Sequence, residues 1–114
     1  MKSITNHHEE RLRITRQQYI EDRDNEALQF VMDNELGRWF MMRLLDTSQV
    51  FCTTFTGNSE TFFREGRRSV GLDMMERIKR LGMRGIEVKQ LAEKEYIETQ
   101  LKFDNMVKDD MKGE

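Results

Sequence analysis

Proline is absent from all 114 residues, so no position is barred from a helix or locked into a turn by a pyrrolidine ring. Sheet-rich domains rely on such punctuation. Valine and isoleucine are also sparse, while methionine reaches 9. The single cysteine, Cys52, excludes an intrachain disulfide. Beside Val50 and Phe51 it reads as a buried, inert thiol rather than a nucleophile, which fits synthesis in a reducing cytoplasm. The first ten residues lack the apolar stretch of a secretory signal, and no run approaches the roughly 20 apolar residues of a membrane span. The expectation is a soluble protein with no membrane partner and no export signal of its own.

The constellations that carry catalysis are missing as well. The two histidines, His7 and His8, are adjacent and therefore fall on different faces of a helix. With Glu9 and Glu10 they could hold a stray transition metal, but a lone terminal pair is ordinarily solvated. There is no Cys–His pair, nucleophile elbow, Walker loop or dinucleotide-binding glycine loop. The many carboxylates read as solvated helix faces. A non-enzymatic protein with no cofactor and no metal is expected.

What the chain does have is a helical composition: 37% hydrophobic and 35% charged residues, in a length suited to one domain with a modest core. The expected fold is all-α, a small bundle of four to five helices with one short extended loop at about 48–59 and a long C-terminal helix. A weakly amphipathic helix over about 7–22 holds Leu12, Tyr19 and Ile20. Asn25 is placed to cap a short second helix containing Ala27, Leu28, Phe30, Val31 and Met32. Asp33-Asn34 reads as a break. Glu35 to Thr47 follows as the most apolar helix, with Leu36, Phe40 and Leu44 on one row and Met41 and Leu45 on the next. Phe51 and Phe55 pin the loop into the core, and Asn58 or Ser59 caps a helix running to about Leu81 with Phe62, Gly66, Val70, Met74 and Ile78 along one stripe. Gly82 stops it. A last helix over about 85–108, holding Val88, Leu91, Ala92, Tyr96, Phe103 and Val107, is thinly apolar for its length, so part of it packs on another chain or projects. The chain divides into a mobile helical segment (1–24), a core module (25–82) and an acidic C-terminal helix (83–114).

Two glycines inside the expected third long helix, Gly66 and Gly71, call for a reason, because an interior glycine costs about 1 kcal/mol relative to alanine. The plainer reason is a core aromatic such as Trp39 or Phe40 pressing on the backbone at Gly66. The sharper one is close docking of another subunit. Five residues apart, the two lie about 140° apart on the helix, so one can face inward and the other an interface. Arg64, Arg67 and Arg68 cluster on one turn nearby, with Arg38 and Arg43 on the preceding helix. An intrachain network with Glu60, Glu65 and Asp33 or Asp46 is the plainer reading, and bidentate pairing with a partner's acidic groups the sharper one. Charge argues against direct nucleic-acid binding, since the net charge is −2 and no stacking aromatics interleave with the arginines. Charge is nevertheless polarised. Residues 64–84 hold seven basic and three acidic groups, and 87–114 hold five basic and eight acidic ones, a pattern suited to association of copies. The methionines, including Met41-Met42 and Met74-Met75, read as adaptable core filling.

Gly37-Arg38-Trp39-Phe40 with Leu44-Leu45, then Phe55-Thr56-Gly57-Asn58-Ser59, then Glu65 to Leu72 resemble the Bbp-nineteen-type proteins of tailed phages, which are encoded near portal, scaffold and capsid genes. The resemblance spans about Ala27 to Leu81. It implies a virion or assembly protein of a double-stranded DNA phage, without catalytic residues to carry over. By that analogy Gly37, Arg38, Trp39, Phe40, Phe55, Gly57, Gly66, Arg67 and Gly71 are signature positions, and Arg64, Arg67, Arg68 and Gly71 are candidates for contact with a partner. The expected function is structural: many copies packed at the head, at the portal vertex or head–tail region, with portal, capsid or tail components and other copies of itself as partners. The protein would then reside in the virion, and in host cytoplasm during assembly. An internal protein ejected with the DNA and a small DNA-binding regulator are the alternatives.

Overall fold

The computed structural model describes residues 4–48 and 60–113, with side chains over 6–48 and 64–113. Four helices make up these residues: α1 (Ile4–Asp33), α2 (Glu35–Thr47), α3 (Glu60–Arg80) and α4 (Met83–Lys112). The fold is an all-α bundle with a long C-terminal helix, as the composition implies. Of the loop expected at about 48–59, Ser48 ends α2, and residues 49–59, with Phe51, Cys52, Phe55, Gly57, Asn58 and Ser59, lie outside the described residues, as does the side chain of Phe62.

The helix boundaries follow local chemistry. Asn34 adopts an extended backbone and its side chain accepts a hydrogen bond from the Leu36 amide at 3.0 Å, capping α2. Ser48 closes α2: its amide donates to Leu44 O at 2.9 Å and its hydroxyl to Leu45 O at 2.7 Å. Gly82, at φ 81°, makes the turn from α3 to α4, a left-handed backbone that a side chain would strain. The break expected at Asn25 is absent. With no glycine or proline between Ile4 and Asp33 nothing interrupts the backbone ladder, and α1 runs unbroken for 30 residues.

The core is small and rich in methionine. Met32, Met41, Leu45, Ile78, Val88 and Ala92 form one buried cluster, with Leu28, Met42, Leu44, Met74 and Met75 packed against it. The unbranched thioether chains fill the irregular space where four helices cross. Several apolar rows bury less than their spacing suggests. On α2, Leu36 and Phe40 are 77% and 65% exposed; the inward row is Arg38, Met41 and Leu45. On α3 the described part of the stripe is covered from Met74 to Ile78, while Gly66 and Val70 are exposed.

Close helix crossings occur at glycines. A Cβ on Gly37 would sit 2.0 Å from the Val31 carbonyl oxygen, so the first turn of α2 lies directly on the last turn of α1. A Cβ on Gly85 would meet the Ile78 carbonyl at 2.1 Å, where α4 folds back on α3. Gly66 differs: it is exposed, with nothing within 4 Å of a Cβ there, so among the described residues no core aromatic presses on it. Of the α3 pair, Gly71 is the buried one.

The long dimension is large. The molecule measures 80 × 40 × 23 Å with a radius of gyration of 20.4 Å, against roughly 13 Å for a compact chain of this length. Two arms account for the excess, since side chains are exposed from residue 6 to 27 and from 100 to 113. Gln17, Glu21 and Asp24 lie beside Arg77 and Arg80 at the end of α3, so α1 extends past the α3–α4 turn while α4 runs away from it. The arms leave the bundle in opposite directions.

Gly37→Ala should lower stability by about 2–4 kcal/mol, because the clash is with backbone that cannot rotate away. Gly66→Ala should raise it by up to about 1 kcal/mol through helix propensity alone. Urea unfolding followed by circular dichroism measures both, and equal effects of the two substitutions would contradict the packing described.

Candidate functional site

Arg38 sits on the inward face of α2, only 8% exposed, and a buried guanidinium requires partners for its donors. It has them on two other helices. Its Nε donates to Glu95 Oε1 at 2.5 Å and its Nη2 to Glu95 Oε2 at 3.1 Å, a two-pronged pairing with α4. Its Nη1 donates to the Met32 carbonyl at 3.0 Å, satisfying one of the carbonyls orphaned at the end of α1. Hydrogen bonding to Glu95 raises the Arg38 pKa above its usual value; burial opposes this, and the charges of Glu95, Glu35 and Asp33 reinforce it. A base whose pKa rises on folding stabilises the fold throughout the range below its unfolded value and loses that contribution only as pH climbs through the folded one. For an arginine that range covers every ordinary working pH.

Tyr96, one residue on, repeats the device at the rim. Its hydroxyl donates to Asp46 Oδ2 at 2.8 Å and accepts from Arg43 Nη1 at 3.3 Å, and the hydrogen bond to Tyr96 is the leading cause of the raised Arg43 pKa. Trp39 lies against the Tyr96 ring at a centroid distance of 5.1 Å and meets Phe103 edge-on at 6.0 Å and 80°, geometries that aromatic pairs favour. Leu36, Trp39, Tyr96, Thr99 and Phe103 line an open groove of about 310 Å³ between α2 and α4, with Glu35 and Glu95 at its edge. A second cleft, about 500 Å³, runs between α3 and α4 past Leu72, Met75, Ile86 and Lys89. Among the described residues no group of three or more His, Cys, Asp or Glu is placed to hold a metal ion, and no helix is long and apolar enough to cross a membrane.

The signature positions divide. Gly37, Arg38 and Trp39 meet at the α1–α2–α4 junction, while Phe40 points outward at the same level. Arg64, Arg67 and Arg68 are half-buried along the first described turns of α3, near Gly71 and exposed Gly66. Arg38 and Arg43 do not join that cluster: their partners are Glu95, Tyr96 and Asp46.

The family model for Bbp19-like phage proteins matches residues 28–92. The chain belongs to this family. No curated protein and no solved structure shows significant similarity to it. Read onto the fold, the Bbp19-like segment begins with the first half-buried residue of α1 and ends at Ala92, and it contains all six members of the buried cluster. It covers the apolar cluster, leaves out Glu95 and Tyr96 of the α2–α4 junction, and stops short of both arms. It also extends the resemblance at Ala27 to Leu81 across the α3–α4 turn to Gly85 and Val88.

The residues that sequence reasoning missed are Glu95 and Gly85. A glutamate in a helix full of charges carries no mark of being another helix's partner 57 positions away. Gly85 was legible in principle, as a glycine three residues past the turn glycine, inside a helix that needs none.

Arg38→Met should destabilise the fold by about 2–4 kcal/mol, leaving the Glu95 carboxylate and the Met32 carbonyl poorly satisfied. Arg38→Lys should recover only part of this, since an ammonium cannot form the fork. Tyr96→Phe should cost about 1 kcal/mol. Denaturant midpoints at fixed salt test the set, and a fully stable Arg38→Met would show that the clamp is not structural.

Proposed function

We propose that this protein is a non-enzymatic structural component of a tailed-phage particle or of its assembly, acting in many copies at the head, at the portal vertex or head–tail region. Family membership supplies the phage context. The observation that carries the structural reading is the pair of arms. A bundle with so small a core gains little stability from 22 exposed residues on α1 or 14 on α4, because helices in proteins are stabilised mainly by packing an apolar face. Leu12, Tyr19, Phe103, Val107 and Met111 stay exposed along them. Arms of this kind are suited to binding portal, capsid or tail components, or other copies. The half-buried arginine turn, Arg64, Arg67 and Arg68 with Gly71, is the second contact surface in this reading, and residence is in the virion after assembly in the host cytoplasm.

Quantitative mass spectrometry of purified particles, full and emptied, tests this. The protein should be present at many copies per particle and retained after DNA release. Loss on emptying would assign it to the ejected proteins, and absence from particles together with steeply salt-dependent binding to duplex DNA would assign it to regulation. Arg67→Glu combined with Arg68→Glu should reduce incorporation into particles; unchanged incorporation and infectivity would remove the arginine turn from the proposal.

A further inference from the structure

The outer face of the α1 arm carries one arginine in apolar surroundings. Steps of three and four along the helix place Leu12, Arg13, Tyr19 and Ile20 next to Arg16. No acidic residue is among these neighbours, and Arg16 makes no ion pair among the described residues. Leu12, Tyr19 and Ile20 are 57%, 71% and 36% exposed. Gln17, Glu21 and Asp24 hold the side turned toward α3, so Leu12, Arg16 and Tyr19 share the side turned away. Arginine and tyrosine are among the side chains that carry most of the binding energy at interfaces.

A complementary surface lies elsewhere on the same chain. The groove between α2 and α4 is walled by Trp39, Tyr96 and Phe103, with Glu35 and Glu95 at its edge and no lysine or arginine in its lining. Arg38 already takes both oxygens of Glu95. Glu35 makes no ion pair among the described residues, so it is the uncompensated charge of the groove. The first turn of α2 suits an acid by itself. The rings beside it add a preference for a guanidinium, which stacks on aromatic faces while its fork meets a carboxylate. Continuous helix, about 25 Å of it, separates Arg16 from Asp33 at the α1–α2 break. The arm therefore cannot fold back into its own groove, but the arm of a second copy can enter it.

We propose that the outer face of α1 docks in the α2–α4 groove of a second copy, with Arg16 over the aromatic rings and paired with Glu35. Leu12 and Tyr19 flank the contact. The inference rests on the multi-copy reading above and names the contact between copies. Its two surfaces differ, and each copy carries one of each, so the contact can repeat from copy to copy. One arginine and its flanks bury less than the roughly 1,200 Å² of a standard stable interface. The association is therefore concentration-dependent in free solution and strengthened where copies are held close together.

Sedimentation equilibrium of the full chain across a concentration series at low salt tests it. Trp39, the single tryptophan, gives a second readout, since its emission should change over the same range. The wild type should associate. Arg16→Glu alone and Glu35→Arg alone should each move association to about tenfold higher concentration or more, because like charges then meet. An equimolar mixture of these two variants should associate as the wild type does, since every contact between them again joins opposite charges. Leu12→Asp, which leaves the groove untouched, should weaken association as well. All three sites are exposed, and far-UV circular dichroism checks that each variant keeps its helices. A wild type that stays monomeric at every concentration overturns the inference, as does association that survives Arg16→Glu or a mixture no better than its separate components. The composition of the particles decides the multi-copy reading independently of these results.

Discussion

A single guanidinium holds three helices at one point. Arg38 rises from α2, takes both oxygens of Glu95 on α4 with its fork and donates to the Met32 carbonyl of α1 with its remaining arm. The geometry tolerates little displacement, because a planar fork and a planar carboxylate have only one good mutual arrangement. Gly37 allows it: α2 can approach the Val31 carbonyl closely enough for its next residue to reach Met32 only if position 37 lacks a Cβ. The pair Gly37-Arg38 is thus one device. The glycine brings the backbones together and the arginine locks them at that distance.

Around this lock the core is plastic. Methionines supply much of the buried and half-buried lining, and flexible thioethers adapt to helix crossings that branched side chains would define more sharply. Orientation therefore falls to the polar contacts and the rings: the Arg38 fork, the Tyr96 hydroxyl between Asp46 and Arg43, and the Trp39–Tyr96–Phe103 row. A small hydrophobic core with specific polar ties suits the proposed role, in which the arms rather than the centre would meet other molecules. The family match contains the apolar cluster and leaves both arms outside, with Glu95 and Tyr96 just beyond its end.

Much of this was legible in the residues, and the failures have physical causes. The break at Asp33-Asn34 and the stop at Gly82 are local: an Asn side chain caps the next amide, and a glycine accepts a left-handed backbone, whatever surrounds them. Asn25 has the same capping chemistry but lies inside a stretch where nothing stops the ladder, so the helix runs through it. The rows Leu36–Phe40 and Gly66–Val70 had helical spacing and still face outward. Periodicity says which side chains share a face; how far a neighbouring helix covers that face depends on crossing angles. Close approach was sought at Gly66 and occurs at Gly37 and Gly85, since one glycine is distinguished from another only by what lies opposite.

The sequence by itself determined the class of structure, the breaks at Asn34 and Gly82 and the family, because these depend on residues close together in the chain: no proline, an Asn cap, a turn glycine, and spaced motifs within 28–92. Only the tertiary structure decided that Arg38 belongs to Glu95 rather than to the arginine turn, and that the inward row of α4 runs out into solvent beyond Tyr96. Pairings between groups 57 positions apart, and the end of a helix's cover, depend on how whole helices cross, which no local pattern encodes.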